Sequence, residues 1–262
     1  MKKLHSNILG SGPKDLIILH GFLGMGSNWK TQAKKFELQG YRVHLIDLRN
    51  HGKSFWDENF DYNFMVEDLF YYVNNLDLKK IILIGHSMGG KVAMLFSISK
   101  PEFVHQLIIS DISPKDYESI EGIKKIREGL IKLNLNQIKT RKDADFHLKN
   151  YVNDFGMREF LLKNLYRSES GKFSFYPNIE VLEKSIPTIE KFPYLGGKYN
   201  KPALFLKGEK SNYINIKDDQ DLITSYFPCS EIIEIDEAGH WIHIDQPDLF
   251  FNQVNNWIDN TK

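Results

Sequence analysis

A single cysteine, Cys229, in a chain of 262 residues leaves no partner for an internal disulfide. That excludes the small disulfide-stapled scaffolds and points to a reducing compartment. No His-rich or Gly-rich motif surrounds the thiol, so it reads as buried or idle rather than catalytic. No run approaches the ~20 apolar residues of a membrane span. The N-terminus, Met1-Lys2-Lys3 followed by Leu4-His5-Ser6-Asn7, lacks the apolar stretch of a signal peptide. The expectation is a cytoplasmic protein with no stable membrane insertion. Neither sign of charge is in excess, with 34 Lys and Arg against 34 Asp and Glu, so no overall field draws nucleic acid or anionic lipid. Metal-ligand clusters, nucleotide-binding loops, repeats and low-complexity tracts are also missing from the sequence. The chemistry is therefore expected to need no cofactor and no metal, and the partner to be a small uncharged or weakly charged molecule.

What is present is enough apolar residue, 42% of the chain, for one large α/β domain. Four apolar, β-branched runs read as buried parallel strands: Leu16 to His20, Arg42 to Asp47, Lys80 to Gly85 and Gln106 to Asp111. Between them Trp29 to Leu38, Phe64 to Leu76 and Lys91 to Ser99 repeat their apolar residues at helical spacing, and Pro101 closes the third. This alternation predicts a mostly parallel sheet with helices on both faces. Strands resume at Ala203 to Lys207 and Glu231 to Asp236, with helices at Lys217 to Tyr226 and Asp248 to Ile258. The block between carries only amphipathic segments, among them Ile120 to Leu133 and Arg158 to Tyr166. It interrupts the alternation and then lets it continue, as an inserted helical cap does. The expected division is a core of 1–113 and 200–262 and a cap of 114–199; a separate helical domain is the alternative.

The pentapeptide Gly85-His86-Ser87-Met88-Gly89 follows a predicted strand directly and opens a helix expected to begin near Gly90. A G-x-S-x-G match alone arises by chance in about one chain in ten of this length. Its place at a strand-to-helix turn is what makes it a nucleophile elbow, with Ser87 Oγ held above the sheet edge and glycines where side chains would collide. Serine needs a base. Of the nine histidines, His240 in Glu237-Ala238-Gly239-His240-Trp241 follows the last predicted strand, where Gly239 permits a tight loop; His243 is the competitor. His86 reads as packing, with its side chain turned away from that of Ser87, and His5, His105 and His147 read as surface or cap residues. Main-chain N–H groups of Met88 and of Phe22, in His20-Gly21-Phe22-Leu23-Gly24, are the candidate oxyanion donors. His20 reads as a structural hydrogen-bonder, and Asp47-Leu48-Arg49-Asn50-His51-Gly52-Lys53-Ser54 as a loop bracing the site.

Together the HGF loop, the DLRNHGKS turn, the GHSMGG elbow and the late Gly-His resemble the α/β-hydrolase superfamily. More closely, His86-Ser87-Met88-Gly89-Gly90-Lys91, Asp111-Ile112-Ser113-Pro114 and Ala238-Gly239-His240-Trp241-Ile242-His243 look like the small YbfF-type bacterial esterases and their mitochondrial relatives. The likeness is specific at the motifs and weaker in the cap. Most superfamily members carry the triad acid as G-x-x-D after the strand that corresponds to Ala203 to Lys207. Here that stretch reads Gly208-Glu209-Lys210-Ser211. Asp111 ends the strand after the nucleophile helix, and one right-handed crossover returns it to the same sheet edge, about 4.8 Å from the nucleophile strand. The closer resemblance implies the same acid, with Ser211 as a helper near the imidazole. Glu209 is the second candidate, and a purely structural Asp111 the third reading.

These residues predict a serine esterase. The resemblance implies short- to medium-chain acyl esters, with acyl thioesters also in range, and an apolar acyl pocket is expected around Phe155, Phe160, Leu161 and Phe173. Dehalogenases of this fold use aspartate at position 87 and are disfavoured. Carbon–carbon bond hydrolases and lyases share the triad and stay open, as does a non-catalytic ligand-binding protein, which has no need of both Ser87 and His240.

Overall fold

The structure is a computed structural model that describes residues 2–118, 121–193 and 196–261, without the side chains of 121–123. Its centre is a seven-stranded sheet built from β1 (Ser6–Leu9), β2 (Lys14–Leu19), β3 (Tyr41–Ile46), β4 (Ile81–His86), β5 (Val104–Ser110), β8 (Ala203–Gly208) and β9 (Ser230–Ile235). The spatial order is β1-β3-β2-β4-β5-β8-β9, and every pairing except the antiparallel β1·β3 is parallel. Alternate residues of the strands feed two separate cores. Ile17, Leu19, Leu83, Ile109 and Phe205 pack with α2 (Tyr62–Asn75), α3 (Met88–Ser99) and α9 (Ile216–Tyr226). Leu16, Ile18, Ile84, Ile108 and Leu204 pack with α1 (Lys30–Leu38) and α11 (Pro247–Asn260) on the other face. Burial on both sides is why these strands read as unbroken apolar runs.

Beyond β5 the chain leaves the sheet as α4 (Glu121–Ile131), α5 (Arg141–Leu148), α6 (Phe155–Leu162), β6 (Leu165–Arg167), β7 (Phe173–Phe175), α7 (Ile179–Lys184) and α8 (Ile186–Ile189). This is the inserted cap, with one departure from the expected all-helical character: β6 and β7 form a two-stranded antiparallel ladder. Ile120, the first residue of the predicted segment Ile120 to Leu133, lies outside the described residues. Polar contacts fasten the cap to the core. The Tyr62 hydroxyl donates to the Ile189 carbonyl at 2.7 Å, and Asn164 Nδ2 donates to the Leu23 carbonyl at 2.8 Å. The Lys91 ammonium, buried in α3, donates to the Glu190 and Lys191 carbonyls at 2.9 and 2.8 Å.

Three further corrections concern the core. β1 carries no alternating apolar signal and is half exposed along its four residues; it is held by main-chain pairing to β3. The helix after the elbow starts at Met88 rather than near Gly90. His5 is a half-buried partner of Asp47, with Nδ1 and Oδ2 2.9 Å apart, rather than a free surface residue. Cys229 stands exposed at the foot of β9, its Sγ 3.6 Å from the Asn200 carbonyl. Among the described residues no helix is long and apolar enough to cross a membrane.

Candidate active site

Ser87 occupies the turn between β4 and α3 with φ 52° and ψ −119°. A non-glycine residue there is strained, and the surrounding structure has to hold it. Two glycines let that happen. A Cβ on Gly85 would stand 2.4 Å from the Gly89 carbonyl, and one on Gly89 2.5 Å from that of His20. Ser87 N–H donates to the Ser110 carbonyl at 3.2 Å, which ties the elbow to the neighbouring strand end.

That neighbouring strand end carries Asp111, fully buried and also at positive φ, 52°. One of its oxygens, Oδ2, accepts from His240 Nδ1 at 2.8 Å and from the Ser211 hydroxyl. The other, Oδ1, accepts from Gly208 N–H at 3.1 Å. Ser211, on the turn after β8, thus touches the carboxylate rather than the imidazole. Glu209, on the same turn, faces elsewhere and accepts from the Glu237 N–H at 2.7 Å. His243 is buried in α10 (Ile242–Asp245) and stacked on Trp29 with ring centroids 3.6 Å apart. Burial pushes its pKa down to about 3, with the charge of His240 adding to the shift.

Two aromatic neighbours of His240 have contacts that the sequence does not announce. Tyr213 stacks on the imidazole at 3.7 Å and 15°. His86 lies 4.7 Å away, and its Nε2–H donates to the His240 carbonyl at 2.9 Å. His86 is therefore more than packing: it pins the main chain of the histidine loop. Burial, with the nearby His240 and His243, holds its pKa well below the ordinary value and keeps it neutral. Both contacts join segments far apart in sequence, and neither residue type carries a local signal for them.

The candidate oxyanion donors belong to the start of α3 and to the loop after β2. Met88 is the first residue of α3, so its N–H has no intrahelical acceptor. In the loop after β2, Leu23 N–H donates to His51 Nε2 at 3.1 Å and Gly24 N–H to the Gly21 carbonyl at 3.0 Å. Two neutral histidines set this loop. His51 Nδ1–H donates to the Arg49 carbonyl, and His20 Nδ1–H to that of Gly21. Each leaves Nε2 to accept, His20 from Leu48 N–H at 3.0 Å. Burial lowers both pKa values, that of His51 to about 3. Asp47 completes the brace by accepting from the N–H groups of Gly26 and Lys53.

Ser87 and His240 line one pocket of about 170 Å³ together with Phe22, Met157, Phe160 and Trp241. Of the four cap residues expected around an apolar pocket, Phe160 and Leu161 line it. Phe155 is exposed, and Phe173 packs into the buried core.

Residues 15–247 match the family described as alpha/beta hydrolase fold. An sn-1-specific diacylglycerol lipase, ABHD11, of Danio rerio is 36% identical over 244 residues, which cover 91% of this chain and 76% of that one. Esterase YbfF of Escherichia coli K12 is 29% identical over 247 residues, covering 93% and 92%. The solved structure of a marine microorganism esterase matches with a TM-score of 0.94 at 38% identity, covering 98% of this chain and 99% of that one.

Proposed function

The chain belongs to the α/β-hydrolase-fold family and is a carboxylic ester hydrolase, and from that premise we propose a serine esterase that works through an acyl-enzyme on Ser87. The observation that carries the reading is the His240 Nδ1 to Asp111 Oδ2 hydrogen bond beside a pocket that Ser87 and His240 share. Donation from Nδ1 to a carboxylate fixes the tautomer, so Nε2 is the nitrogen free to take the Ser87 proton.

In the proposed cycle Ser87 Oγ attacks the ester carbonyl while His240 removes its proton. In this reading the oxyanion of the tetrahedral intermediate is received by the N–H groups of Phe22 and Met88, the two main-chain donors nearest in sequence to the loop after β2 and to the nucleophile. Collapse of the intermediate breaks the bond to the leaving oxygen, and His240 returns the proton to that oxygen. Water then attacks the acyl-enzyme by the same steps and releases the acid. Asp111 stabilises the imidazolium, with Ser211 and Gly208 N–H holding the carboxylate. The substrates in this reading are short- to medium-chain acyl esters, with acyl thioesters accessible to the same chemistry. The small, mostly apolar pocket supports a neutral acyl compound as partner.

A fluorophosphonate probe should label Ser87 in the folded protein and fail to label Ser87→Ala. Asp111→Asn should lower turnover on the order of 10⁴-fold, as loss of a triad acid does elsewhere, while Glu209→Gln keeps near-normal rates. The reverse pattern would reassign the acid. Absence of labelling in folded protein would favour a ligand-binding role, and cleavage of a vinylogous diketone with no ester or thioester turned over would favour carbon–carbon hydrolysis.

A further inference from the structure

Ser87 also lines a second recess, one in which His240 takes no part. This space of about 50 Å³ is walled by Tyr62, Met88, Lys91, Ile112, Tyr117 and Ile189. It shares Phe22, Ser87 and Tyr213 with the larger pocket of about 170 Å³, but His240 lines only the larger one. The nucleophile therefore stands at the junction of two unequal spaces.

We propose that the small recess holds the acyl group and the larger pocket holds the alcohol, so that the preferred substrate is a short acyl chain on a bulky apolar alcohol. This rests on the serine-esterase reading and adds the direction in which the ester lies. The direction follows from proton bookkeeping. The bond that breaks joins the acyl carbon to the leaving oxygen, and its electron pair goes to that oxygen. The oxygen must then receive the proton that His240 took from Ser87, so the alcohol lies in the space His240 lines. The acyl chain, on the opposite side of the carbonyl carbon, points into the recess beside Met88.

Size then sets the selectivity. A water needs about 10–15 Å³ of such space, so the recess takes on the order of four chain atoms and the larger pocket on the order of a dozen. Hydrogen bonds tie the walls of the recess together. Lys91 Nζ donates to the carbonyls of Glu190 and Lys191 and, at 3.4 Å, of Ile189, which closes the cap over it. Tyr62 donates to the same Ile189 carbonyl, and the Tyr117 hydroxyl to that of Tyr213 at 2.6 Å. Phe160, Met157 and Trp241 give the larger space its apolar wall.

Octyl acetate and ethyl octanoate are isomers with a primary alkoxide leaving group in both, so a rate difference between them reports the subsites rather than intrinsic reactivity. The wild-type enzyme should hydrolyse octyl acetate with kcat/KM at least tenfold above that for ethyl octanoate. Ile189→Ala should narrow that ratio by speeding the octanoate, and Ile186→Ala, at the same wall, gives a second reading should the first variant fold poorly. Phe160→Ala should slow octyl acetate severalfold and so narrow the ratio from the alcohol side. Equal rates, or a preference for ethyl octanoate, would overturn the assignment in an enzyme that turns over p-nitrophenyl acetate. A protein that also fails on p-nitrophenyl acetate and resists the fluorophosphonate would instead sink the esterase reading beneath it.

Discussion

The Asp111 carboxylate is surrounded by donors: the His240 ring, the Ser211 hydroxyl and the Gly208 N–H. Hydrogen bonds to a charged group are worth about 1.5–3 kcal/mol, so Ser211→Ala should lower kcat roughly 10- to 100-fold while leaving KM near its starting value. Steady-state kinetics on one short ester would check it. The loss should stay well short of that for Asp111→Asn, because Ser211 orients the acid and does not meet the imidazole. At this scale the sequence was informative wherever a residue type is tied to a backbone position. Ser87 is bracketed by glycines that a Cβ would block, and the missing aspartate at position 211 directed attention to Asp111. Tyr213 and His86 were not legible in their roles, since a tyrosine stacked on an imidazole leaves no mark in either local sequence. His5 was misread for the same reason, its partner Asp47 lying on another strand end.

Among the elements, α3 does two things at once: its N-terminus presents Met88 to the site, and one turn later Lys91 holds the cap. Burial pushes the Lys91 ammonium down to about 7, against the pull of Asp116 and Glu190. Lys91→Met keeps the length of the side chain and removes the donors, leaving cap carbonyls without their partner. The expected result is a loss of about 1–3 kcal/mol of stability, with faster amide exchange confined to 186–191. Exchange mapped by mass spectrometry would check it, and uniform exchange across the chain would count against a local tether. The core strands were readable because burial on both faces makes them apolar throughout. By contrast β1, β6 and β7 are incompletely buried strands of three or four residues, too short for a period of two to stand out. The cap's ladder owes its existence to the pairing of two such pieces, which neither announces alone.

Over the molecule as a whole, acid stability should be governed by histidines folded in their neutral form. His51 and His243 are both held down to about 3 against an ordinary 6.5, burial being the main cause. Below 6.5 the unfolded chain takes up protons that the folded rings refuse until about 3. Stability is therefore fully present above 6.5 and is lost as the pH falls through that window. At pH 4.5 each ring contributes a loss of up to about 2–3 kcal/mol. Urea midpoints measured from pH 7 to 4 should fall, and His243→Phe, which keeps a ring against Trp29, should flatten the decline. A different consequence comes from the parallel sheet. Ser87, Asp111 and His240 all follow the C-terminal ends of their strands, whereas the exposed Cys229 precedes β9 at the opposite end. Six strand residues separate the two rims, about 20 Å. The sole thiol is thus a ready anchor: coupled to a maleimide surface, every molecule would be mounted in one orientation, with the rim that carries Ser87 turned to the solution.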